Sequence, residues 1–198
     1  MLVNIYVFLN IAAWVGWSTY KAWAQGQMGY VEIAFALQNM IFLTLILIRR
    51  PHEGLDRNPF NQAVAAIAFF SGLAFMGQPQ TGGHAAQLMS KGVTLLANIL
   101  GILSLVNLGR SFGVLIAFRR IQSRGLYSVV RHPMYLSDIL FRVGFVMTHL
   151  NWLTSALFVV SSACYVYRAI LEEGFLARQR EYCEYMNKVK YRFVPFVF

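Results

Sequence analysis

Charge is scarce in this chain. Only 13% of its 198 residues are Asp, Glu, Lys or Arg, where a soluble domain carries about 25%. Acids are the scarcer kind, eight against 17 basic residues. With 58% hydrophobic residues, that shortage excludes an ordinary soluble globule and points to a chain immersed in lipid. Cysteine is nearly absent. Cys164 and Cys183 stand apart, without metal-ligand spacing or a disulfide pattern, which excludes a zinc module and a cross-linked scaffold and leaves both as structural residues. Walker and Gly-x-Gly-x-x-Gly loops are missing, and with them the soluble nucleotide-binding folds. No Ser–His–Asp arrangement can be argued, and His52, His84 and His149 are isolated. The first apolar run lacks a basic leader and a small-residue cleavage site, so it is expected to persist as a helix. Internal repeats and low-complexity linkers are absent as well.

What the chain has is apolar runs. They cover residues 3–24, 31–48, 63–77, 92–108, 133–150 and 151–167, and each reads as a membrane helix, the last two as a hairpin. The third is short, so a layout with four or five full spans stays open. Trp14, Trp17, Tyr20 and Trp23 read as an interfacial belt. Most basic residues fall in the loop 49–62, in the stretch 109–132 and after residue 167, while the loop 25–30 has none. Basic loops stay on the cytoplasmic side, so six spans with both termini inside are expected. The net charge of +9 follows from that placement and calls for no nucleic acid partner. Residues 168–198 read as a continuation of the last helix into water, then an amphipathic tail returning to the surface at 194–198. The expected fold is an all-α polytopic transmembrane bundle with a C-terminal cytosolic amphipathic helix. Residues 1–108 form its N-terminal helices and 109–198 its functional half, in one domain.

Chemistry concentrates in the second half. Pro133 suits the first position of a helix, and the residue before a proline is pushed out of helical geometry. His132 and Arg131 therefore stand at a helix N-terminus, where free backbone N–H groups favour an anion. A basic and aromatic membrane-entry turn is the plain alternative. Asp138 and Arg142 share a helix face four residues apart and are expected to form a structural ion pair inside the membrane. Arg168, Glu172 and Glu173 mark the point where the last helix leaves the bilayer, level with the Arg131–His132 turn. Such a run is ordinarily a solvated charged face; here it would bring two carboxylates to two basic groups.

Four segments, taken together, resemble the isoprenylcysteine carboxyl methyltransferase family and its bacterial membrane relatives, which include phospholipid methyltransferases. They are LGRSFG at 108–113, GLYSVVRHPMYL at 125–136, Arg168 with Glu172 and Glu173, and EYCEYMNKVKYRFVP at 181–195. The resemblance implies an S-adenosylmethionine-dependent enzyme, a multi-pass membrane protein whose site faces the cytoplasm. It implies a lipophilic acceptor, either an isoprenylcysteine carboxylate-like compound or a lipid, and membrane lipids as neighbours. By the same resemblance Gly125, Leu126, Tyr127, Val130, Arg131, His132, Tyr135, Glu173, Tyr182 and Tyr185 would hold the cofactor. His132, Arg168 and Glu172 would carry the catalytic roles: His132 or a glutamate takes a proton from an amine or thiol acceptor, and Arg168 pairs with Glu172 or faces the substrate. No metal is implied. Ser137-Asp138 departs from the glycine usual after this motif. A similar Asp occurs in the membrane sterol reductases, so an NADPH-dependent reductase is one alternative and a non-catalytic membrane scaffold another.

Overall fold

A computed structural model describes residues 2–26, 28–75 and 77–197. Phe198, the end of the segment expected to return to the surface, and the side chain of Trp14 in the expected aromatic belt lie outside the described residues. The described chain is mostly helical. Its elements are α1 (Leu2–Ala24), α2 (Tyr30–Ile48), α3 (Pro59–Phe70), α4 (His84–Leu108), α5 (Pro133–Thr148), α6 (Trp152–Leu176) and α7 (Arg180–Lys188). The all-α expectation needs one small correction. A two-stranded antiparallel ladder joins β1 (Gly54–Leu55) to β2 (Ala117–Phe118), with Gly54 opposite Phe118.

Among the described residues three stretches are long and apolar enough to cross a membrane, Tyr30–Ile48, His84–Ser111 and Trp152–Leu176, and Pro59–Phe75 is a shorter apolar segment. The outward surfaces of these helices are greasy: Ile33, Leu37, Met40, Leu47, Leu96 and Val160 are all exposed. Exposed apolar faces on this scale are what lipid, not water, solvates. Trp17, Tyr20 and Trp23 are exposed near the end of α1.

Local chemistry sets the helix ends. Asn58 caps α3 by accepting the Phe60 N–H at 3.0 Å, and Pro59 occupies the first helical position. The helix thus starts before the expected residue 63 and runs on into a 3-10 turn, Ser71–Phe75. α4 begins at His84 rather than residue 92 and stops at Gly109, whose φ of 52° ends the helical path. Pro133 opens α5 where expected. Asn151 opens α6 with a reciprocal cap: its Oδ1 accepts the Thr154 N–H at 2.9 Å, and Thr154 Oγ1 accepts the Asn151 N–H at 3.1 Å.

The tightest seam is between α4 and α5. Gly144 lets the helices close until Ser90 Oγ donates to the Gly144 carbonyl at 2.6 Å. A Cβ at Gly144 would collide with Thr94. At one end of the seam the loop before α4 is tied to the α5–α6 turn, since the Thr81 and Gly82 N–H groups both donate to the Thr148 carbonyl. At the other end the two basic loops are woven together. The Arg50 N–H donates to the Arg110 carbonyl at 2.8 Å, and Gln62 brackets Ile116, donating to its carbonyl at 2.9 Å and accepting its N–H at 3.1 Å. That woven end holds the cleft.

Candidate functional site

The floor of the cleft begins at Gly125. Its φ is 59°, and a Cβ there would strike Asn107 in the last turn of α4. Glycine is what lets the chain turn tightly against that helix. A 3-10 turn, Gly125–Ser128, buries Tyr127. Val130 then forms a parallel bridge with Tyr191 of the tail. The next two N–H groups go the same way, Arg131 to the Tyr191 carbonyl at 2.9 Å and His132 to the Arg192 carbonyl at 2.8 Å. The tail beyond α7 is therefore a strap laid along the turn that leads into α5.

Glu173 is the knot of that strap. Its carboxylate accepts Arg131 Nε at 2.7 Å and Arg192 Nε at 2.9 Å, and lies 3.1 Å from His132 Nε2. The Arg131 guanidinium also donates to the carbonyls of Val189 at 2.7 Å and Lys190 at 2.8 Å. A run that is ordinarily a solvated face is buried here, Arg168 being 3% exposed and Glu173 5%, and Glu173 meets Arg131 and His132 as the sequence led one to expect.

Tyr135 organises the open side. Its hydroxyl donates to the Glu172 carboxylate. The Arg168 guanidinium lies over its ring at 5.0 Å, and the His132 ring stacks on it at 5.1 Å. Arg168 and Glu172 form no ion pair among the described residues; Tyr135 comes between them. Arg168 instead donates to the carbonyls of Ala65 at 3.0 Å and Val114 at 2.5 Å. The expected Asp138–Arg142 ion pair also gives way. Arg142 donates to the backbone carbonyl of Asp138 at 2.8 Å and to Ser71 Oγ at 3.0 Å, under the Tyr165 ring at 4.8 Å. The Tyr165 hydroxyl takes the Asp138 carboxylate.

The cleft is lined by Tyr127, Arg131, His132, Tyr135, Arg168, Glu172, Tyr182 and Tyr185 of the residues singled out from the sequence. Gly125, Leu126, Val130 and Glu173 are not on its lining; they build the wall behind it. The lining also includes Ser111, Gly113, Arg119, Gln122, Asp138 and Tyr165. Sequence reasoning passed over Arg119, since nothing separates one arginine from its neighbours in a basic loop. Burial pushes the phenols of Tyr127 and Tyr182 up, with the nearby Glu172 adding to it, and burial does the same to Tyr185. All three stay neutral, and Tyr185 donates to the Tyr127 carbonyl at 2.7 Å.

This donor set suits a ligand carrying both signs of charge. Tyrosine faces and the Glu172 carboxylate suit a cationic centre. Two guanidiniums line the cleft with a buried Nε that has no hydrogen-bond partner, Arg119 and Arg168, and they suit an anionic group. S-adenosylmethionine, with a sulfonium, an amine and a carboxylate, fits that combination. Among the described residues no three His, Cys, Asp or Glu side chains gather as a metal site.

No curated protein matches the chain. Residues 88–181, running from α4 through the lining of the cleft into α7, match the model of the phospholipid methyltransferase family, one of the integral-membrane methyltransferase families related to the isoprenylcysteine carboxyl methyltransferases.

Proposed function

We propose that this chain uses S-adenosylmethionine to methylate a lipophilic acceptor at the cytoplasmic face of a membrane. The observation that carries the reading is the mixed cleft where α5 begins and α6 ends, with tyrosine faces, the Glu172 carboxylate and partnerless buried guanidinium nitrogens on one lining. The family match supports methyl transfer and weighs against the reductase and scaffold alternatives.

Bound in the cleft, the cofactor supplies a methyl group made electrophilic by a sulfonium. Tyr127, Tyr135, Tyr182 and Tyr185 offer ring faces to a cation and shield it from water. Glu172 sits beside them and is the carboxylate placed to take the proton that an amine or thiol acceptor loses; a carboxylate acceptor has none to lose. Tyr135 holds Glu172 by its hydroxyl and Arg168 by its ring, so one side chain sets the spacing of both. His132 is fixed between Glu173, Tyr135 and Phe193 and keeps the lining in register. Gly125, Leu126 and Val130 set the path of the turn, while Arg131 and Glu173 keep the tail strapped over it. Alignment of acceptor and methyl in near-attack geometry is worth roughly 7–11 kcal/mol in the best cases, so a rigid cleft supplies most of what methyl transfer needs. The acceptor enters sideways from the bilayer, past the exposed apolar helix faces.

The test is direct. Purified protein in lipid nanodiscs is titrated with S-adenosylhomocysteine, and membranes are incubated with methyl-labelled S-adenosylmethionine. Saturable binding and label in the lipid fraction are expected. Binding of NADPH with none of the homocysteine ligand would overturn the reading.

A further inference from the structure

Two guanidiniums rest on the same two residues of backbone. Arg168 donates to the Val114 carbonyl at 2.5 Å. Arg119 lies against the adjacent Gly113 so closely that a Cβ there would meet its guanidinium carbon at 2.6 Å. Both guanidiniums also line the cleft. Among the described residues one carboxylate, Glu172, acts on both. Arg119 makes no hydrogen bond or ion pair among the described residues, and its Nε is buried. Arg168 spends both terminal nitrogens on backbone carbonyls and lies over the Tyr135 ring, and its Nε is buried without a hydrogen-bond partner. Glu172 is engaged by Tyr135, and Glu173 by Arg131, His132 and Arg192. The Arg119 guanidinium is held below its usual pKa first by burial and then by the positive charge of Arg49, with Glu172 working against both.

From this juxtaposition on Gly113–Val114 we infer that Arg119 and Arg168 form an oxyanion-binding subsite of the cleft, one that takes a carboxylate or a phosphodiester. A planar guanidinium pair matches the oxygens of either group. Gly113 is part of the device, because any larger residue displaces the Arg119 guanidinium from its place against the backbone. The two sources of such an anion are the amino-acid carboxylate of the cofactor and the phosphate of a lipid acceptor. The inference rests on the methyltransferase reading only in the choice of these probes.

Equilibrium binding to nanodisc-held protein separates the possibilities, with two matched probe pairs. One is S-adenosylhomocysteine against its decarboxylated analogue. The other is a short-chain phospholipid against the corresponding diacylglycerol. Arg119→Gln leaves the Arg168 contacts in place and so avoids unfolding the core; Gly113→Ala displaces the guanidinium without removing its charge. Both variants are expected to weaken the anionic member of one pair by roughly tenfold or more and to leave its uncharged partner unchanged. Loss confined to S-adenosylhomocysteine assigns the subsite to the cofactor carboxylate, and loss confined to the phospholipid assigns it to a phosphate. Equal losses within both pairs, no loss in either, or failure of the wild type to bind any anionic probe overturns the subsite. Absence of S-adenosylhomocysteine binding in the wild type counts separately against the proposed function, and the lipid pair then still decides the subsite.

Discussion

Glu173 is one carboxylate serving three basic side chains in a buried setting. Removing one partner of such a cluster leaves uncompensated charge behind and costs about 3–5 kcal/mol. Glu173→Gln is therefore expected to lower the unfolding temperature in detergent markedly. Glu184→Gln, which breaks an exposed pair with Arg180 across one helical turn, is expected to be nearly silent. Comparable melting of the two variants would show that the knot does not hold the tail. The sequence placed Arg131, His132 and Glu173 near one another correctly as a neighbourhood. It did not give the direction each side chain takes. Spacing along a helix says which residues can meet, not which acceptor from another element arrives first. Tyr135 reached both Arg168 and Glu172, and a backbone carbonyl took Arg142, so two four-residue spacings that read as ion pairs are not ion pairs.

At the scale of elements, the seam between α4 and α5 sets where the cleft opens, because one helix ends and the other begins at its floor. Its closeness depends on Gly144 facing Thr94 and the Ser90 backbone. Gly144→Leu is expected to force the helices apart and to cost several kcal/mol, on the order of an overpacked core at about 1–3 kcal/mol plus the lost Ser90 bond at about 1 kcal/mol. Thermal unfolding and ligand binding should both suffer; unchanged melting would mean that the seam is looser than its hydrogen bond implies. Apolar length and Pro133 made most helices legible. The start of α3 is legible too, in Asn58-Pro59, a cap followed by a first-position proline, although the apolar run itself begins only at residue 63. The ladder of β1 with β2 was not legible, because two residues per strand carry no period.

For the whole molecule, the loop 78–83 and the α5–α6 turn are tied at one end of the seam, and the basic loops with the cleft lie at the other. Cysteines placed at Gln80 and Leu150, both exposed, are expected to react with an impermeant reagent from one side of sealed vesicles, and a cysteine at Ser123 only from the other. Labelling of all three from a single side would overturn the proposal that the cleft lies at the cytoplasmic face, which is argued from the bias of basic residues. The order of the chain carries a consequence in time. Residues 189–192, whose carbonyls and Arg192 complete the clasp on Arg131, His132 and Glu173, are made after both helices of the hairpin. A nascent chain arrested just past α7 holds both helices of the hairpin and every tyrosine of the cleft, yet its turn into α5 has no strap. The turn into α5 thus gains its strap last, when the hairpin it closes has already been made.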